Sequence, residues 1–534
     1  MVPLDLGFPS MDAFTTQHPW VLSVGIMFPF LLLAAVMIDY LDLCRKRRAL
    51  QGIPIVGEGN YWRRRFNRTP IAQDFNRLLQ HAFDTYTKEQ LPWAMPFFRD
   101  YMVVLPPKAL KDYRGKTPEN FSFLDSVNHA FGLDSSCPMT RDHVEAVQMS
   151  VSRNQSLGLM HNTIIDAIDH ALGAAFQQEK DQEWHHFVAY EFIWPMMIGV
   201  ATAYIIGPEF GRNPGYVQHC VDFCCQASEF RDLRGMFPET LRPLIWRFSR
   251  CGRDLQSTIA SSKCQLMPEI RRRIASARAG KLAQSRHTLV DATIGIKMKK
   301  GEIGRDTALA DEEKKVSGLA GDCLLSALEI AFPIAAYVVG MMNYAVAEPI
   351  YADVLRKEIR SALHSTGGEW PIDILDRMPR LESFARETVR CDTTSVFTAT
   401  RRLQKPVRLD SIGRTLDRGN FVAVPAQWLH QSPDIYPEPD SFDGCRFYDP
   451  DTNSCHPRAA TGDSNFLPFG YGAEMCPGRG LGMRQAQLAF AKILISFDVD
   501  SYPVRGVKTF NRVVGAAVTL DRELKLQWRR RNSS

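Results

Sequence analysis

The sequence predicts a mainly α-helical protein with a small β region, preceded by one N-terminal transmembrane helix. Three observations predict it: an uncharged apolar run closed by a basic cluster, helical periodicity through the middle of the chain, and short strand-like pieces towards the C-terminal end.

The apolar run WVLSVGIMFPFLLLAAVMI, from Trp20 to Ile38, carries no charge and has the length a bilayer-spanning helix requires. Pro29 is tolerable inside a membrane helix, and Asp39 falls at the interfacial end. Arg45, Lys46, Arg47 and Arg48 follow at once, so the positive-inside rule puts the rest of the chain in the cytosol. A cleaved signal peptide would start with a basic segment, whereas here Asp5 and Asp12 are the only charged side chains before the run. The sequons at Asn67, Asn120 and Asn154 are then expected to stay unglycosylated. Residues 1–48 are assigned to the membrane anchor with its basic stop, and 49–534 to a single catalytic domain. IPIVGEG suits a short hinge between them.

From about Asn76 to Arg360 the pattern is mainly helical, with amphipathic stretches such as HNTIIDAIDHALGAAF. The apolar run from Val316 to Val346 is long enough to span a membrane. It follows DEEKK, contains Asp322 and Glu329 and is interrupted by Pro333, which marks it as a buried core helix. Strand-like pieces, PVRLD and FVAVPA, occur only after Thr398. With 45% hydrophobic and 23% charged residues, the chain can bury a substantial core and is not disordered by composition. A net charge of +5 suits an anionic membrane surface or an acidic partner; it is no signature of nucleic-acid binding.

Several motifs fail on inspection. RGKT, from Arg114 to Thr117, has Leu110 where a phosphate loop needs its first glycine. GRGLG, from Gly478 to Gly482, lacks the spacing and preceding strand of a dinucleotide site. There is neither GxSxG nor HExxH. The twelve cysteines include no CxxC, and the cluster of Cys220, Cys224 and Cys225 has no histidine or second pair to complete a zinc site. Inert thiols in a reducing compartment are the simpler reading.

FGYGAEMCPGRG, from Phe469 to Gly480, is different. Gly472 permits a tight turn, and Pro477 and Gly478 suit the first turn of the helical segment LGMRQAQLAFAKILISF. A thiolate at Cys476 would face a helix N-terminus and its free amides, which stabilise an anion. Upstream, ETVR sets Glu387 and Arg390 three residues apart on one helical face, and PDSFDGCRF supplies Arg446.

In this order and at these separations, the three motifs together resemble the cytochrome P450 family of haem-thiolate enzymes, and the resemblance extends over nearly the whole chain. It implies a single mostly helical fold with a small sheet region and a haem b, iron protoporphyrin IX, whose iron takes the Cys476 thiolate as axial ligand. Phe469, Gly472 and Gly478 would shape the ligand loop, and Glu387, Arg390 and Arg446 would form a buried charge triad supporting it. Stretches such as MMIGVATAYIIGPEFGRNP and FPETLRPLIWRFSR look like the microsomal enzymes of fungal secondary metabolism.

Two departures stand out. Glu474 occupies a position where the family generally has Arg or His to pair with a haem propionate; an acid there repels that carboxylate unless protonated or turned to solvent. Arg401, in TATRRLQKP, matches a family position for the same task, with Arg153 and His143 as weaker candidates. The second departure lies in the long helix, where the family usually has an acid followed by Thr for proton delivery. No threonine occurs between Thr307 and Thr366, and SALEIA aligns with Glu329 as the acid and Ile330 in the threonine position, given a short insertion before AEPIYADVLRKEIR. Pro333 lacks the N–H that would bond the Glu329 carbonyl, so the helix is expected to open there. Ser326, one turn earlier, is the candidate substitute hydroxyl beside Glu329; the alternative is that Glu329 pairs with a distant base and has no catalytic role.

What the resemblance implies is a membrane monooxygenase of the endoplasmic reticulum, single-pass with its catalytic domain cytosolic, that uses O2 on a small hydrophobic secondary metabolite. Terpenoid, polyketide and indole-derived scaffolds all remain open. Electrons would come from NADPH through a separate cytochrome P450 reductase, for whose acidic surface Arg479, Arg484 and Lys492 are candidates, and membrane lipid is the other partner. Ile330 keeps a second reading open, namely oxidative coupling, desaturation, ring closure, or an O2-independent isomerisation or dehydration. A non-catalytic haem-binding membrane protein is a third, against which the retained Cys476 and triad speak.

Overall fold

The computed structural model describes residues 19–50, 52–59, 72–97, 100–113, 117, 119–131, 137–152, 154–176, 183–237, 239–281, 288–304, 309–501, 512–514, 517–519 and 524–531, and the apolar run forms helix α1 (Pro19–Arg48). Phe30, Leu31, Leu33, Met37, Ile38 and Leu41 are exposed on it, while Ala35, Asp39 and Leu43, spaced four apart, are buried against the body. Asp39 is therefore not the interfacial residue expected. The basic cluster is used internally as well: Lys46 Nζ lies 2.7 Å from Asp100 and Arg47 lies 3.3 Å from Glu58. Nor is IPIVGEG a loose hinge. The Val56 N–H bonds the Ala94 carbonyl and the Ala94 N–H bonds that of Pro54, both at 2.8 Å, with Leu50 and Ile53 buried beside them.

Strands β1 (Trp93–Phe97) and β2 (Asp100–Val104) follow, then β3 (Phe121–Ser122) and helix α2 (Phe123–Phe131). Strands were expected only after Thr398, and β1 to β3 overturn that. Trp93, Ala94 and Met95 and all of β2 are buried, so the polar-apolar alternation that identifies a half-exposed strand is missing. Helices α3 (Arg141–Ser152) and α4 (Asn154–Phe176) precede β4 (His185–Val188), and α5 (Ala189–Ile205), α6 (Pro214–Gly235), α7 (Arg250–Arg278) and α8 (Leu289–Lys299) come after it. Arg153 and Asn67 lie outside the described residues, as do the side chain of Asn154 and most of RGKT.

The 39-residue α9 (Leu309–Ala347) is the central helix. It packs on α5, α7, α11 (Pro379–Cys391) and α12 (Arg479–Ser496), with α10 (Pro349–Ser365) following it in the chain. Its membrane-length apolar window is 78% buried, as expected of a core helix. It runs through Pro333 unbroken, so the anticipated opening does not interrupt it, although the Glu329 carbonyl still lacks an N–H donor at residue 333. Gly340 sets the approach of α9 to α11: a Cβ there would stand 2.9 Å from the Thr388 methyl.

Strands β5 (Phe397–Leu403), β6 (Val407–Leu409), β7 (Arg414–Leu416) and β8 (Phe421–Pro425) bear out PVRLD and FVAVPA. The main sheet runs β1-β2-β8-β5-β3, antiparallel except for β2 with β8, where Met102 faces Phe421. Its register shifts between Thr398 and Arg401, and Ala399 takes φ 52° there. A second sheet, β9 (Phe497–Ser501), β10 (Lys525–Arg530) and β4, joins the end of the chain to its middle.

Candidate active site

The Cys476 loop is built by its own backbone. Gly470 and Gly472 adopt φ +80° and +78°, values only glycine takes without cost. The Met475 N–H returns to the Gly472 carbonyl at 3.1 Å and the Cys476 N–H to the Phe469 carbonyl at 2.8 Å, while the Phe469 ring meets Phe466 edge-on. Helix α12 then begins at Arg479 with Gly478 as its N-cap, slightly later than PGRG suggested. Gly478 has φ −87°, and a Cβ on it would meet Val147 at an ordinary 3.6 Å. Neither value demands glycine.

The Cys476 side chain is exposed to water-sized space, yet burial pushes its thiol pKa up, against the Gly478 and Arg479 amides and the Arg479 charge that pull it down. Both hold if the sulfur opens on an inner recess rather than on the outer surface. The helix N-terminus helps the anion as expected, but desolvation outweighs it. Opposite, α9 is buried from Gly321 to Leu328 and from Ile334 to Asn343, while Glu329, Ile330, Phe332 and Pro333 are partly accessible. Glu329 lies close enough for its charge to act on Cys476, and Tyr204 and Tyr337 feel the thiol in turn. Glu329 Oε1 is buried without a hydrogen-bond partner among the described residues. Burial, with Asp322 adding to it, raises the Glu329 pKa to about 8, so the carboxyl is mostly neutral at pH 7. Among the described residues no base pairs with it. One soft thiol at a helix start, with an unpaired acid near enough for its charge to act on it, suits a haem, because metal binding removes the thiol proton outright.

The structure brings Glu387, Arg390 and Arg446 together. Glu387 accepts from Arg390 Nε at 2.7 Å and from Arg446 Nε at 3.0 Å, and its Oε1 also takes the Asp443 N–H at 3.1 Å. Arg390 continues to the carbonyls of His430 and Pro439 at 2.6 and 2.8 Å. The His430 ring Nε2 accepts the Leu467 N–H at 3.0 Å, and burial beside Arg390 and Arg386 lowers its pKa to about 3, which keeps that nitrogen free of a proton. The charge cluster thereby reaches the ligand loop through one histidine. Arg386 reinforces it, bonding the Arg458 and Thr461 carbonyls at 2.7 Å with its guanidinium 3.8 Å over Phe466. Sequence reasoning missed both. Arg386 directly precedes ETVR and was legible as a second basic group of that helix; nothing in the local sequence singled out His430.

Glu474 is neither turned to solvent nor left without a cation. Its Oε2 accepts from Arg401 Nε at 3.0 Å and from the Phe123 N–H at 3.1 Å, at the start of α2. Arg401 also bonds the carbonyls of Thr400, Tyr471 and Glu474, so its guanidinium holds the ligand loop as well as the acid. Burial raises the Glu474 pKa while Arg401 and the amide lower it; the geometry is that of a charged pair. Replacing Glu474 with Gln should cost about 2–3 kcal/mol by stranding the buried guanidinium, read as a lower denaturation midpoint.

Other assignments change. Ser326 bonds the Asp322 carbonyl and stands 3.3 Å from the ring nitrogens of His143, so His143, the weaker propionate candidate, packs against α9. Lys492 is buried on Asp169 at 2.7 Å, and Arg484 bonds the Ile372 carbonyl at 2.7 Å. Neither is free for a docking surface. Arg479 bonds the Cys476 carbonyl at 2.9 Å.

The cytochrome P450 family profile matches residues 148–528. The cytochrome P450 monooxygenase verB of Clonostachys rogersoniana is 31% identical, over 94% of this chain and 97% of its own. The bicoumarin synthase desC of Aspergillus desertorum is 30% identical, over 89% and 90%. Among solved structures, a retinoic acid bound cyanobacterial CYP120A1 superposes with a TM-score of 0.62 at 16% identity, covering 86% of this chain and 96% of that one, a likeness of fold. The match across most of the chain, the helical fold and these relatives together establish that the chain belongs to the cytochrome P450 family, as a haem-containing monooxygenase of the fungal secondary-metabolism kind.

Proposed function

We propose that this monooxygenase inserts one oxygen atom from O2 into a hydrophobic terpenoid, polyketide or indole-derived metabolite, with electrons from NADPH passed on by a separate reductase. Residues 1–48 anchor it in the endoplasmic reticulum membrane through α1, whose exposed face is apolar, and 49–534 form the cytosolic catalytic domain. Cys476 holds the iron of haem b, in a loop shaped by Phe469, Gly472 and Gly478 and braced by Glu387, Arg390 and Arg446. Haem so ligated supplies reductive O2 activation, with the thiolate favouring O–O cleavage. Glu329 donates the proton that reaction needs, in place of the usual acid and threonine, with Ser326 one turn away on the same face.

The observation that carries this reading is Glu329, whose buried carboxyl oxygen has no partner among the described residues and whose charge acts on Cys476. The testing experiment compares metabolites of the source organism with and without the gene, grown under isotopically heavy oxygen. A lost product heavier than the accumulated precursor by one heavy oxygen atom is expected. A difference of two hydrogens, or of none, would sink oxygen insertion and favour the second reading of coupling, desaturation, ring closure or isomerisation. That reading draws support from Ile330 in the threonine position and from relatives named bicoumarin synthase in Aspergillus desertorum and Aspergillus niger.

A further inference from the structure

One face of α9 carries a polar stripe. Asp322, Ser326 and Glu329 stand at i, i+4 and i+7, one turn apart on the same side of the helix. Asp322 and Ser326 are buried, and their neighbours from Leu324 to Leu328 are otherwise apolar. Buried polar side chains in such a run are costly unless they are satisfied or used. Facing the middle of the stripe is buried His143 of α3, 3.3 Å from Ser326 Oγ. Between α3, α8 and α9 lies a small cavity lined in part by His143, Thr293, Asp322 and Ser326. About 10 Å³ of it is open to the centre of a water molecule, roughly enough for one water, with polar partners on several sides. At the outer end, Asp142 joins Lys297 at 2.6 Å and the exposed Lys300 at 2.7 Å, and Lys300 joins Glu145 at 3.0 Å. Asp322 feels the charges of both Lys297 and Asp142.

We propose that Asp322, His143 and Ser326 form an inward proton conduit that reloads Glu329 from the ion-paired seam of α3 and α8. The inference rests on Glu329 acting as the proton donor and extends it to the supply. Each proton leaving the Glu329 carboxyl is replaced by one passed from solvent through Asp322, the cavity water and the Ser326–His143 pair, with one O–H or N–H bond broken for each one formed. Burial raises Asp322 to about 7, so that carboxyl can carry a proton near neutral pH, and it holds His143 neutral, with both ring nitrogens within 3.3 Å of the Ser326 hydroxyl. Ile330 offers no hydroxyl for a shorter way in. Asp322, His143 and Ser326 are positioning and transfer residues; none needs to touch substrate.

The test reads proton access without turnover. Substrate-free holoenzyme is moved rapidly into heavy water, and the infrared C=O stretch of the protonated Glu329 carboxyl is followed as it shifts. The band is assigned by its disappearance in Glu329→Gln. Asp322→Asn, which keeps the volume but not the acid, and Ser326→Ala are each expected to slow the shift by roughly a hundredfold, the low end of what one placed transfer group contributes. Asp322→Glu is expected to restore the native rate. Native exchange in Asp322→Asn and Ser326→Ala, with the Glu329 band intact, would overturn the conduit and leave Glu329 as donor. A spectrum in which Glu329→Gln removes no protonated-carboxyl band would overturn the donor, and the conduit with it.

Discussion

A Cys476→Ala chain should lose the absorbance band that marks thiolate ligation in the reduced, CO-bound protein, and all turnover with it, while keeping its fold. The two halves of that expectation have separate causes. Cys476 is exposed, and its backbone N–H rather than its sulfur closes the loop on Phe469. Removing the sulfur therefore leaves no void in packed core, and stability should change by no more than about 0.5 kcal/mol. Thiolate ligation goes with the sulfur. Among the described residues no group of three or more His, Cys, Asp or Glu could hold a metal ion, and burial holds Cys323 and Cys391, on neighbouring helices, firmly as thiols. Far-ultraviolet circular dichroism and the CO difference spectrum on one preparation check both halves. A persistent thiolate band would remove Cys476 from its proposed place.

Replacing Glu387 with Gln should act the other way, on the whole structure. Glu387 and Arg390 are fully buried, and Arg446 approaches from the more open side. Without the carboxylate, two guanidinium groups face each other across a neutral amide, and breaking a buried pair in this way costs roughly 3–5 kcal/mol. That is a large share of the roughly 5–15 kcal/mol by which a native domain is stable. Through Arg390 and His430 the damage reaches Leu467 in the ligand loop. The expected result is poorly soluble protein with little bound haem. Arg446→Ala should be milder, since its other partners are rim carbonyls. Chemical denaturation and the haem-to-protein ratio rank the variants, and equal stability for Glu387→Gln and the native chain would deny the triad its bracing role.

Much of this was legible in the chain because local chemistry dictated it. A glycine-framed cysteine ahead of a helix, an acid and a base three residues apart, and an acid inside an apolar helix each announce themselves within a few residues. What stayed hidden depends on partners far away in sequence. Glu474 looked misplaced because Arg401, 73 residues earlier, was assigned to another task, and the Phe123 amide that completes the trio lies 351 residues away. Lys492 looked like a surface cation because its helix has no clear polar face to contrast with, and only Asp169 from α4 accounts for its burial. Asp322 was noticed, but only as an objection to a membrane span; its spacing to Ser326 and Glu329 was there to be read. Strands β1 and β2 escaped because burial on both faces erases the alternation that identifies a strand.

The docking of α1 has a mechanical consequence. Ala35, Asp39 and Leu43 seat the helix on the body, Lys46 ties it to Asp100 and Arg47 to Glu58, and the segment after it is stitched to β1. A chain joined to its anchor by a slack leader would swing freely above whatever surface held it. Under the membrane anchoring proposed above, the helix would act as a mast stepped into the hull: these contacts would pass the tilt of α1 to the catalytic body and the main sheet directly.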